Sequence, residues 1–173
     1  LDKKDLENIV SDMRNGKISG INVTVPFKKT IIPYLDELEP TAKKTESVNT
    51  LLKKGNKIIG YNTDEPGFGL TLEEIFLKNN LTPKNIFILG AGGVTSSIIC
   101  AFEKLKTKIF LTNRTREKAI ELKSQYPEIT ILDWGKIPQT FDLAINTTSV
   151  GLNHKERLNL NFDQFKGDKE KIF

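Results

Sequence analysis

A strand, a glycine-rich turn and a helix follow one another without a break between Asn85 and Leu105, and this succession constrains the fold more than any other stretch of the chain. Asn85 to Leu89 is a short, nearly continuous apolar run of the kind found in a strand buried on both faces. Gly90-Ala91-Gly92-Gly93 follows at once, and then Ile98, Ile99, Phe102 and Leu105 recur at helical spacing. Downstream the alternation continues, with strands at Lys108–Thr112, Ile129–Leu132 and Asp142–Asn146 and helices at Val94–Leu105 and Arg116–Tyr126. Alternating strands and helices predict a parallel, doubly wound sheet. The expected architecture is α/β in two parts: a substrate-side portion over residues 1–64, and a Rossmann-like nucleotide domain over 65–173.

The glycine turn carries a ligand expectation. Glycines let the backbone approach a pyrophosphate closely, and the helix that follows supplies free N–H groups and the positive end of its dipole. The third glycine of a G-x-G-x-x-G fingerprint falls at Thr95, which is expected to crowd the helix-to-strand contact without blocking the phosphate site. Folds that bind NAD place a carboxylate about twenty residues after the first glycine to hold the ribose hydroxyls. Here the next strand ends in Asn113-Arg114-Thr115, with Arg116 and Lys118 beyond it and no acid before Glu117. A guanidinium holds a 2′-phosphate through two parallel hydrogen bonds, whereas a carboxylate repels it. The expected cofactor is therefore NADP(H).

In the first third of the chain, Asn22-Val23-Thr24-Val25-Pro26-Phe27-Lys28 reads as a strand over Ile21–Val25 stopped by a proline, with a lysine just past its end. Asn22 and Thr24 alternate with Ile21, Val23 and Val25 and so share one face. Lys28 sits where open α/β sheets put their ligands, although a lysine on an ordinary surface turn has the same appearance. A second strand, Lys57–Tyr61, ends in Asn62-Thr63-Asp64 and runs into an amphipathic helix over Pro66–Asn80. Asp64 suits a helix N-cap and equally suits a partner for Lys28, orienting an ammonium that gives a proton to an alkoxide. Lys53-Lys54-Gly55-Asn56-Lys57 predicts a hairpin turn. Leu6, Ile9, Val10 and Met13 predict a helix closed by Gly16, and Lys28–Leu35 reads as a short helix stopped near Pro40.

Taken in order, the segments Asn22–Lys28, Ser47-Val48-Asn49-Thr50, Gly60–Asp64, Gly90–Gly93, Asn113–Thr115 and Asn146-Thr147-Thr148-Ser149-Val150-Gly151 resemble the shikimate dehydrogenases along nearly the whole chain. The resemblance implies NADPH-dependent reduction of 3-dehydroshikimate to shikimate, a step of chorismate and aromatic amino acid biosynthesis. It makes Lys28 and Asp64 the catalytic pair and assigns Thr24, Asn49 and Thr63 to substrate hydroxyls or to ordering the pocket. It gives the pyrophosphate to Gly90, Ala91, Gly92 and Gly93, and the 2′-phosphate to Asn113, Arg114 and Thr115 with Lys118 as second cation. Thr148 and Ser149 fall on the nicotinamide side. Ser96 and Ser97 replace the family's usual basic or small residues after the glycine turn, and Thr147 replaces a usual alanine. The chain starts at Leu1 without the family's S-x-S-P segment and stops before its substrate-side tyrosine and closing glutamine-bearing helix, so it reads as an internal portion of a longer protein.

Hydride delivery to a ketone leaves an alkoxide that needs a positioned acid. His154 lies in a polar stretch that reads as an exposed loop and a bystander, which leaves a lysine as donor. Cys100 stands alone in an apolar helical pattern and is expected to be packed there, so no metal cluster and no internal disulfide is expected. The net charge of +4 suits anionic ligands, while scattered lysines interleaved with acids argue against a nucleic-acid stripe. No run approaches a membrane span, and the single cysteine is compatible with a reducing cytoplasm. The expected partner is a small-molecule substrate, with a homodimer as the candidate assembly and neither nucleic acid nor membrane. Two alternatives stay open: a quinate/shikimate dehydrogenase using NAD, and a nucleotide-binding module without catalysis.

Overall fold

The computed structural model describes residues 3–80, 82–103, 105–151, 157, 160 and 166. His154 lies outside the described residues. The chain runs through α1 (Lys3–Arg14), β1 (Gly20–Asn22), α2 (Phe27–Thr30), β2 (Glu37–Leu38), α3 (Pro40–Thr45), β3 (Thr50–Lys54) and β4 (Lys57–Tyr61). It continues through α4 (Asp64–Asn79), β5 (Asn85–Leu89), α5 (Thr95–Glu103), β6 (Lys108–Thr112), α6 (Arg116–Gln125), β7 (Thr130–Leu132) and β8 (Leu143–Asn146).

The strands form two four-stranded sheets, in the orders β1-β3-β4-β2 and β7-β6-β5-β8. In the first, β1 and β3 and then β3 and β4 pair antiparallel, and β2 joins β4 parallel. The β3–β4 hairpin closes at Gly55-Asn56, where Gly55 takes a φ of 59°, which glycine adopts at no steric cost. Its core is built from Leu6, Val10 and Met13 of α1 against Ile31, Val48, Leu51 and Ile58. Gly60 lies where three apolar chains converge, because a Cβ there would fall 2.6 Å from Leu35 Cδ1 and 2.9 Å from Val48 Cγ2.

The second sheet is parallel throughout, with Leu89 level with Thr112 of β6 and with Asn146 of β8. Every residue of β5 after Asn85 is buried, as its unbroken apolar run requires. Ile86 and Ile88 face a core shared with α5, α6 and Leu72 of α4, while Phe87 and Leu89 face Phe141 on the other side. Phe68 and Phe76 of α4 also pack on the first of these cores, so α4 leaves the first sheet and covers the second. β6 and β8 flank β5 on opposite sides, which puts the reversal of strand order at the carboxyl ends of β5 and β8. Open α/β sheets bind ligands in that crevice.

Several boundaries differ from expectation. β1 ends at Asn22 rather than Val25, because its partner β3 begins only at Thr50, opposite Asn22. Val23 donates one further bond to Asn49 O at 2.8 Å, after which a turn closes from Phe27 N to Thr24 O at 2.9 Å. The helix expected over Lys28–Leu35 breaks into α2 and a 3-10 turn, Ile32–Tyr34, because Pro33 lacks an N–H and disfavours helix in Ile32. Pro40 starts α3 instead of stopping a helix, and the Glu39 carboxylate accepts from Thr41 N at 2.9 Å.

Candidate active site

Lys28 and Asp64 meet. Lys28 Nζ donates to Asp64 Oδ2 at 2.7 Å, and their side chains are 13% and 25% exposed. Lys28 is placed by the turn before α2 and by its carbonyl, which accepts from Val48 N at 2.9 Å. Asp64 is the first residue of α4, directly after β4. Asn49 connects the two strand ends: its Nδ2 donates to Asp64 Oδ1 and to Thr63 Oγ1, both at 2.9 Å, and its Oδ1 accepts from Thr63 N at 2.9 Å. Both carboxylate oxygens of Asp64 are thus held, and an ammonium with three hydrogens keeps some for another acceptor.

Asp64 does not cap its helix. Asn62, the residue before Thr63, does so: its Oδ1 accepts from Asp64 N at 3.0 Å and from Glu65 N at 3.2 Å. That division of labour releases the Asp64 carboxylate for Lys28. Asn62 received no role from the sequence, since an asparagine beside an aspartate in a polar cluster gives no sign of which one is buried.

The glycine turn lies against this pair. A Cβ built on Gly93 would stand 3.9 Å from Lys28 Cδ, and Ser47 Oγ donates to Gly93 O at 3.1 Å. Gly90 has a φ of 108°, and its Cβ would fall 2.7 Å from Thr147 Oγ1. Ala91 N donates to Asn113 Oδ1 at 3.0 Å, so the asparagine after β6 fixes the turn after β5. Among the described residues the N–H groups of Gly92, Gly93 and Val94 donate to nothing. Three orphan donors at the start of α5 fit the pyrophosphate of a dinucleotide. Thr95 is buried and does not merely crowd the helix; its hydroxyl lies 2.9 Å from that of Thr147 and donates to Gly90 O at 3.2 Å. Ser97 is buried too, taken up by Asn62 rather than turned toward a phosphate.

The cations beyond β6 separate into two kinds. Arg116 is engaged by Asp133, whereas Arg114 and Lys118 are exposed and have no partner among the described residues. Thr115 is exposed at the start of α6, with its carbonyl accepting from Asn113 Nδ2. Thr148, after β8, is held by Asn146 and in turn accepts from Val150 N at 3.1 Å, with Ser149 exposed beside it. Thr24 is exposed at the turn before α2, outside the hydrogen-bonded Lys28–Asn49–Thr63–Asp64 cluster. Cys100 is buried on α5, and burial pushes its thiol up, which makes it a packing residue rather than an activated nucleophile. Among the described residues no group of acids, cysteines or histidine is placed to hold a metal ion, and no helix is long and apolar enough to cross a membrane.

These features define a dinucleotide-fold α/β protein with a lysine–carboxylate pair lodged between its glycine turn and a second, mixed sheet. Residues 1–51 match the family model for the shikimate dehydrogenase substrate binding domain. Over 170 residues the chain is 50% identical to the shikimate dehydrogenase (NADP(+)) of Pelagibacter ubique, covering 98% of this chain and 63% of that protein. The crystal structure of shikimate dehydrogenase from Aquifex aeolicus superposes with a TM-score of 0.83 at 38% identity, over 96% of this chain and 62% of the other. The Thermus thermophilus enzyme in complex with NADP(H) and shikimate gives 0.79 at 26% identity, over 95% and 61%. The chain is similar to shikimate dehydrogenases along nearly its whole length, and it spans a little under two thirds of the length of these relatives, 61–63%.

Proposed function

We propose that the protein is a shikimate dehydrogenase that reduces 3-dehydroshikimate to shikimate with NADPH, in the cytoplasm, as a step of chorismate biosynthesis. The observation that carries this reading is the 2.7 Å Lys28–Asp64 contact set against the glycine turn. It is supported by the Pelagibacter relative, a shikimate dehydrogenase (NADP(+)), and by the Thermus enzyme, which was crystallised with NADP(H) and shikimate. Residues 1–64 form the substrate side and 65–173 the nucleotide side, a division supported by the packing of α4 on the second core.

The coenzyme, when bound, supplies the hydride. This chain's residues do the rest. The N–H groups of Gly92 and Gly93, with the close approach at Gly90 and Ala91, hold the pyrophosphate, and Arg114 and Lys118 hold the 2′-phosphate with Asn113 and Thr115. Thr148 and Ser149 border the nicotinamide. Lys28 gives its proton to the ketone oxygen as charge develops there, and Asp64, fixed on its far side by Asn49, aims the ammonium. Thr24, Asn49 and Thr63 surround the substrate hydroxyls. A homodimer is the proposed assembly, supported by the exposed Leu70 and Leu77 on α4.

The test is turnover by the full-length gene product with shikimate and quinate, each against NADP and NAD. Turnover of shikimate with NADP is expected. Preference for quinate with NAD contradicts it, and NADP binding without turnover favours a nucleotide-binding module. Arg114→Asp is expected to weaken NADPH binding about 10- to 100-fold, as loss of charge-assisted bonds implies, with NADH binding little changed. Fluorescence titration with both coenzymes measures this, and equal losses would remove Arg114 from the 2′-phosphate site.

A further inference from the structure

The proton donor and the coenzyme turn belong to different sheets, yet a hydride and a proton must reach the two ends of one carbonyl. Some element must hold the two halves in register, and a single carboxamide stands where that element is needed. Asn62 is 3% exposed. Its Oδ1 caps α4 through Asp64 N and Glu65 N, at 3.0 and 3.2 Å, and so sets the first turn from which the Asp64 carboxylate projects. Its Nδ2 lies 2.9 Å from Thr45 Oγ1, 3.0 Å from Ser47 O and 2.9 Å from Ser97 Oγ. Thr45 and Ser97 are fully buried, so water does not substitute for either bond.

Each contact leads to a different part of the site. Ser47 precedes Val48, whose N–H is bound by the Lys28 carbonyl, and Ser47 Oγ reaches Gly93 O. Ser97 lies in the first turn of α5, immediately after the glycine turn. Asn62 therefore touches the backbone that places Lys28, the helix start that places Asp64, and the helix that carries the coenzyme loop. Among the described residues no buried side-chain polar atom lacks a partner, and the two Nδ2 hydrogens of Asn62 are shared among these three acceptors.

We propose that Asn62 is a positioning residue for hydride and proton transfer, acting through Asp64 on one side and through Ser97 on the other. The inference rests on the proposed reaction. Misplacement of reacting groups by about 1 Å costs about 100-fold in rate, so loosening this junction acts on the chemical step more than on binding.

Two variants of the full-length gene product test it. Asn62→Asp keeps the shape and the capping oxygen but turns an acceptor toward the Ser47 carbonyl. Ser97→Ala removes only the bond to α5, leaving Thr45 and Ser47 for the two amide hydrogens, so it is expected to fold. Steady-state kinetics, NADPH titration and the primary isotope effect with deuterated NADPH are measured together. Asn62→Asp is expected to lower kcat about 100-fold and Ser97→Ala about 10-fold. The KM for 3-dehydroshikimate and the Kd for NADPH should stay within about threefold, and the isotope effect on kcat should rise as hydride transfer becomes limiting. A purely structural role predicts a lower Tm with kcat per folded molecule and the isotope effect unchanged; that result with Ser97→Ala overturns the proposal even if Asn62→Asp fails to fold. Wild-type turnover is read first. Its absence overturns the functional reading and this inference together, whereas an active wild type with unchanged variants overturns this inference alone.

Discussion

Lys28→Ala is expected to lower kcat by about two to four orders of magnitude, the usual worth of a positioned general acid. The reasoning is geometric. Lys28 Nζ is held by Asp64 at 2.7 Å, and Asp64 is held in turn by Asn49 at 2.9 Å. The side chain is confined at its far end by that ion pair. Affinity for NADPH should change little, because the donors proposed for the phosphates lie in the turn before α5 and around the start of α6. The pair is partly buried, so the loss also leaves a carboxylate without its partner, and thermal unfolding must be recorded beside the kinetics. A folded Lys28→Ala protein that retained turnover would remove the lysine from the mechanism.

Gly90→Ala is expected to damage both the fold and the coenzyme site. A φ of 108° is a conformation that side-chain-bearing residues adopt at a cost of about 1–3 kcal/mol. The added Cβ would also meet Thr147 Oγ1 at 2.7 Å, Thr148 Cγ2 at 2.9 Å and Thr148 N at 3.0 Å. Thr147 has nowhere to move without loss, since its hydroxyl donates to Leu89 O at 2.9 Å or Gly90 O at 3.0 Å and meets Thr95. Overpacking of this kind adds about 1–3 kcal/mol, and a total of a few kcal/mol lowers Tm by about 2–4 °C for each. Saturating NADP should raise the Tm of the wild type through linkage and raise that of Gly90→Ala far less. An equal rise in both would show that the turn at Gly90 does not carry the coenzyme.

The parallel sheet was legible because its strands are largely apolar and β5 is closed by a glycine turn, and β5 and β6 have the bounds that the sequence predicted. The first sheet was harder. β2 is two residues long, held by Glu39 N to Gly60 O and Asp36 N to Ile58 O, and its partner lies some twenty residues away in the chain, beyond the reach of any local pattern. Pro40 misled for a specific reason: a proline ends one helix and opens another with the same ring, and only the Glu39 carboxylate over Thr41 distinguishes the two. At the site, Lys28, Asp64, Asn49 and Thr63 are brought together as the motifs implied, because strand ends gather on one edge of a sheet. Asn62, Ser47, Ser97 and Thr147 were not legible as a network. Each is a short polar residue whose value lies in being buried against a partner distant in the chain.

The central claim is that hydride crosses from the nucleotide side to a ketone held beside Lys28. The measurement that tests it most directly is a single turnover of 3-dehydroshikimate by the full-length gene product, using NADPH deuterated at the transferring carbon. Mass spectrometry of the product reads the outcome. The account predicts one deuterium at the carbinol carbon for each shikimate formed by the wild type, and almost no product from Lys28→Ala with NADPH still bound. Shikimate without deuterium, or unchanged transfer by the Lys28→Ala protein, would contradict it.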